Sequence, residues 1–114
     1  MSHKAYRFAV LERHLDGFVT ALLLSTLEAM RSGFWPLDAG IWPLAQPSFR
    51  KPLEQAGLCG DITAILRETD ELAALAELAG RSSADARLDD MIGTLRARLA
   101  SGKAEPWEAT IDES

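Results

Sequence analysis

Apolar residues recur at intervals of three and four over most of this chain, and that spacing predicts α-helices. One stripe is Phe18, Val19, Leu22, Leu23, Leu27 and Met30. Leu24 falls off it, so the helix is apolar on more than one side and reads as central. Ser32-Gly33 should end it, with Gly33 as the left-handed terminator. A second stripe, Ile62, Ile65, Leu66, Thr69, Leu72, Ala73 and Ala76, predicts one helix capped by Asp61 and closed by Gly80. A third stripe holds Leu88, Met91, Ile92, Leu95 and Leu99. Ser82 or Ser83 would cap that helix, with Asp85 and Asp89 near its positive start and Arg96 and Arg98 near its negative end.

The remaining segments are less periodic. Tyr6, Phe8 and Val10 alternate like a strand, whereas Phe8, Leu11, Leu15 and Phe18 follow helical spacing. Helix is the favoured reading, because no other segment offers a strand partner. Asp16-Gly17 leaves open one long helix or two short ones. Phe34 to Leu44 is rich in aromatics and proline and predicts only a short helix around 37–45. A further short piece runs from Phe49 to Ala56, opened by Pro47-Ser48 and interrupted by Pro52. After Gly102 the tail carries four acids against Lys103, with Trp107 set between Glu105-Pro106 and Glu108, and reads as loose and dispensable for folding. The expectation is an all-α fold: one domain over residues 1–102, a compact bundle of four to five helices with short loops, followed by the loose tail 103–114. Leu22, Leu23, Leu27, Ile65, Leu66, Leu72, Leu95 and Leu99 are the expected common core.

Composition agrees with this picture. Of 114 residues 47% are hydrophobic and 25% charged, the globular norm, and Leu and Ala far outnumber Val and Ile. The net charge of −5, with scattered Arg and Lys, argues against nucleic acid as a partner. The apolar run Gly17–Leu27 is too short to span a bilayer, which needs about 20 residues, and has the wrong flanks for a signal peptide. A single cysteine, Cys59, precludes an intramolecular disulfide and suits a reducing cytoplasm. There is no Asn, hence no site for N-glycosylation.

Chemistry is sparse. His3 and His14 have no companion Cys or His, and Asp85, Asp89 and Asp90 fit helix-start electrostatics better than a metal site. No nucleophile elbow, phosphate loop or dinucleotide fingerprint occurs, and Cys59 reads as a small buried hydrophobe. The chain is therefore expected to be no enzyme and to hold no cofactor or metal. Two features point to a protein partner instead. Trp35 and Trp42 lie in the aromatic segment, and Trp is enriched at binding hot spots. Segment 61–79 holds five acids against Arg67, and Glu68, Asp70, Glu71 and Glu77 make it a candidate electrostatic docking face.

The run ALLLSTLEAMRSGFWPLDAGIWPLAQPSF, then LEQAGLCGDITAILRETDELAAL and a last amphipathic helix, resembles a family of small bacterial helical proteins. That family is similar in size and charge to immunity proteins carried beside polymorphic or contact-dependent toxins. The likeness covers about residues 20–100. Glu71-Leu72 stands for its Glu-Leu pair, while Ala73-Ala74 replace the acids that follow there. The resemblance implies a cytoplasmic, stoichiometric inhibitor that binds a cognate basic toxin. A self-associating helical adaptor, with the segment Phe34–Phe49 as a homodimer seam, is the competing reading.

Overall fold

The computed structural model describes residues 4–58 and 60–113. The expectations for His3 and Cys59 therefore lie outside the described residues. Among these residues six helices and two strands follow in the order β1 (Tyr6–Val10), α1 (Glu12–Arg31), α2 (Leu37–Ala45), α3 (Pro47–Gln55), α4 (Gly60–Thr69), α5 (Leu72–Ala79), α6 (Arg81–Ala100) and β2 (Ala109–Glu113). Helix dominates, as the Leu/Ala bias predicts, but the fold is neither all-α nor limited to four or five helices.

The long helices α1 and α6 run side by side, antiparallel, and are tied at both ends. Arg98 pairs with Asp16 at one end, and Arg31 with Asp85 and Asp89 at the other. α5 packs on α6, while α2 bridges α1, α3, α4 and α5. The common core collects Val19, Leu23, Leu27 and Met30 from α1, Leu37, Ile41 and Leu44 from α2, and Leu53 from α3. Ile62, Ile65 and Leu66 of α4, Leu72 of α5, and Ala84, Leu88, Met91, Ile92 and Leu95 of α6 complete it. Two expected members differ. Leu22 is only half-buried, and Leu99 is 40% exposed on the final turn of α6, beyond the last core layer at Leu95. Thr20 and Thr26 are buried in α1 because their hydroxyls donate to the carbonyls of Asp16 (2.7 Å) and Leu22 (2.8 Å), one helical turn back.

Residues 61–79 form two helices rather than one. At Thr69-Asp70-Glu71, where Thr and Asp are weak helix formers, the chain turns with Glu71 N–H donating to Glu68 C=O at 3.0 Å. The buried Thr69 hydroxyl donates to Leu66 C=O at 2.7 Å. The turn redirects α5 onto α6, which buries Leu72. α6 starts at Arg81 straight after Gly80 (φ 91°), so neither Ser82 nor Ser83 caps it; Gly80 does close α5 as expected.

The N-terminal segment is a strand. Tyr6–Val10 pairs antiparallel with Ala109–Glu113, in the register Tyr6 to Glu113, Phe8 to Ile111 and Val10 to Ala109. The strand partner lies about a hundred residues away, inside the tail expected to be loose. That tail is docked: Ala104 is buried, and the Trp107 ring meets Phe18 edge-on at 5.2 Å between centroids. Gly17 makes the docking possible. α1 passes straight through it, and a Cβ there would stand 1.9 Å from the Glu105 carbonyl oxygen. Gly40 plays the same part for Met30, whose sulfur lies 2.0 Å from the position of a Cβ.

Candidate partner-binding surface

The surface begins with α2. Pro36 sets up its first turn and Pro43 removes one hydrogen bond within it, so the helix is short and held by its buried side, Leu37, Ile41 and Leu44. Burial of that side turns Asp38 and Trp42, four residues apart, outward on one face. Trp42 is 71% exposed. It lines an open groove of 420 Å³ with Asp38, Ile41, Ala45, Gln46, Pro47 and Asp70. Asp70 comes from the turn between α4 and α5, and Arg50 of α3 approaches its carboxylate at 3.5 Å.

The other candidate acids distribute differently. Glu68 and Glu71 line a second open groove, of 410 Å³, with Leu72, Ala74, Leu75, Leu78 and Arg87. Glu68 is neutralised there by an ion pair with Arg87 of α6. Glu71 and Glu77 are exposed and form no ion pair among the described residues. Trp35 is 48% exposed in the α1–α2 loop, where its backbone N–H donates to Ala29 C=O at 3.2 Å. Trp42 and Asp70 are thus brought together, Glu68 and Glu71 are brought together across the turn, and Trp35 and Glu77 line neither groove. The single helical acidic face expected from segment 61–79 is broken by the turn at Asp70-Glu71. Asp38 was absent from the candidates, although its spacing from Trp42 on a short helix places both on one side.

The rest of the surface offers less chemistry. Among the described residues no group of three or more His, Cys, Asp or Glu side chains could hold a metal ion, and no helix is long and apolar enough to cross a membrane. A hydrogen bond to Asp89, then the charges of Asp89 and Asp85, push the Arg31 guanidinium pKa up, and the same contacts tie α1 to α6. His14 borders a groove of 360 Å³ with Val10, Leu11, Glu108 and Thr110, and its buried Nδ1 has no hydrogen-bond partner among the described residues. No family model, no curated protein and no solved structure matches this chain.

Proposed function

We propose that this chain is a non-catalytic, protein-binding inhibitor of the immunity type, which neutralises a basic bacterial toxin domain in the cytoplasm. The observation that carries the reading is Trp42, 71% exposed, in a groove whose acidic members Asp38 and Asp70 flank it from two different elements. A large amphipathic ring with carboxylates beside it suits a partner rich in Lys and Arg: the ring supplies area and a cation-attracting face, the acids supply direction. Glu71 and Glu77 extend the negative field, and the net charge of −5 would speed encounter with a basic domain.

The test looks for a basic toxin domain among the genes beside this one and, with that domain purified, follows binding kinetics at two ionic strengths. Trp42→Ala should raise the dissociation rate at least about tenfold, the scale of a hot-spot residue. Asp38→Lys with Asp70→Lys should slow association at low salt and flatten its salt dependence. Unchanged rates in both variants would sink the proposal. A self-associating adaptor is the second reading, favoured by the exposure of Phe34 (82%) together with Trp35 and Trp42. Concentration-dependent dimers abolished by Phe34→Ser or Trp42→Ser, without toxin binding, would select it.

A further inference from the structure

We propose that two copies of this chain associate face to face through the β1–β2 ribbon, with Tyr6, Phe8 and Ile111 at the centre of the contact. Alternation along an antiparallel pair puts Tyr6, Phe8, Val10, Ala109, Ile111 and Glu113 on one face and Arg7, Ala9, Thr110 and Asp112 on the other. The first face is apolar, yet Tyr6, Phe8 and Ile111 are 61%, 57% and 59% exposed. Only its inner end is covered, where Phe8 rests on Phe18 at 6.2 Å between ring centroids, and Trp107, 44% exposed, continues the patch beyond Phe18. A two-stranded ribbon with one face this open is marginal by itself; a third strand, a helix or a second sheet normally completes it.

Area and charge both fit a second copy. An aromatic side chain buries about 150–250 Å² when covered, so these four half-open residues offer on the order of 500 Å² per copy. Two copies together reach about 1,000 Å², the threshold for a specific interface. The ribbon is also self-complementary. On the apolar face β1 is preceded by Lys4, two residues before Tyr6, whereas β2 ends on Glu113. A twofold axis between two stacked ribbons, parallel to their strands, lays β1 of each copy over β2 of the other. Lys4, already 3.4 Å from Glu113 within one chain and 64% exposed, then also faces Glu113 of the second copy. Two stacked ribbons form a small sandwich with the usual spacing of about 10 Å between sheets.

The inference stands apart from the inhibitor reading, because the ribbon contributes nothing to the Trp42 groove. Light scattering and sedimentation of the full chain across micromolar to sub-millimolar concentrations should give twice the monomer mass at the upper end. Ile111→Asp, which leaves the Phe8–Phe18 contact in place, should shift the dissociation constant at least tenfold towards monomer with the helical circular dichroism unchanged. Tyr6→Lys should do the same and serves if Ile111→Asp alters the helical signal. Trp42→Asp should leave the dimer intact. A monomer at every concentration overturns the proposal, and so does a dimer that survives both ribbon variants but dissociates in Trp42→Asp.

Discussion

Gly17→Ala tests how the tail is held, because two effects of the same methyl group oppose each other there. In the interior of α1, Ala is favoured over Gly by about 1 kcal/mol. Against that, the new Cβ would stand 1.9 Å from the carbonyl oxygen of Glu105, where ordinary contact begins near 3.4 Å. The obstructing atom is backbone and cannot rotate aside. Either α1 shifts or the tail lifts, and overpacking of this kind costs about 1–3 kcal/mol. Lifting the tail also exposes Ala104 and breaks the edge contact between Trp107 and Phe18, which contributes about 0.5–1.5 kcal/mol. The internal control is Gly93, exposed in α6, where an added Cβ meets nothing within 4 Å. Gly93→Ala should stabilise by about 1 kcal/mol, the propensity gain alone. Urea unfolding followed by circular dichroism should therefore move in opposite directions for the two variants, and hydrogen exchange of residues 104–113 should quicken only in Gly17→Ala. Equal stabilisation by both substitutions would refute the close approach of Glu105 to α1.

Two of the ion pairs between α1 and α6 should differ in weight. The Arg98 side chain is 9% exposed and its partner Asp16 29%, so Asp16→Ala, which removes charge-assisted hydrogen bonds from a largely buried guanidinium, should cost about 1.5–3 kcal/mol. Glu28→Ala, which frees an Arg96 that is 66% exposed, should cost under about 1 kcal/mol in the same urea titration. In the core, Leu72→Ala should destabilise by about 2–5 kcal/mol, whereas Leu99→Ala should cost far less, since Leu99 is 40% exposed. Similar midpoints for the two leucine variants would contradict the placement of Leu99 beyond the last core layer.

Local signals in the sequence carried the helices well. The period of Val19, Leu23, Leu27 and Met30, the glycines at 33 and 80, and the prolines at 36 and 47 each act within one or two turns, so α1, α2 and α3 lie close to where the pattern puts them. What depends on distant partners was not legible. Tyr6–Val10 is ambiguous alone and Ala109–Glu113 reads as loose tail, and a strand exists only once its ladder partner is present. Gly17 read as a possible break because the backbone that excludes a side chain from it arrives from Glu105. Leu99 continued a stripe whose period says nothing about where the neighbouring layer ends. The candidate surface divides in the same way. Trp42 and Asp70 were visible as residue types, but their meeting in one groove depends on the turn at Thr69-Asp70-Glu71, which the continuous apolar stripe from Ile62 to Ala76 concealed.

The pairing of Val10 with Ala109 also sets a clock during synthesis. Roughly a hundred codons separate the two strands, and at about 5–20 residues per second β1 waits some 5–20 seconds for its partner to be made. Throughout that interval its row of unpaired amides and its aromatic face are open to any other extended chain. Lys4 and Arg7 are well placed as electrostatic guards over that period, because like charges brought edge to edge repel and discourage the wrong pairing. When the acidic strand finally emerges, those same cations meet Asp112 and Glu113, so the charges that repel premature neighbours attract the correct one.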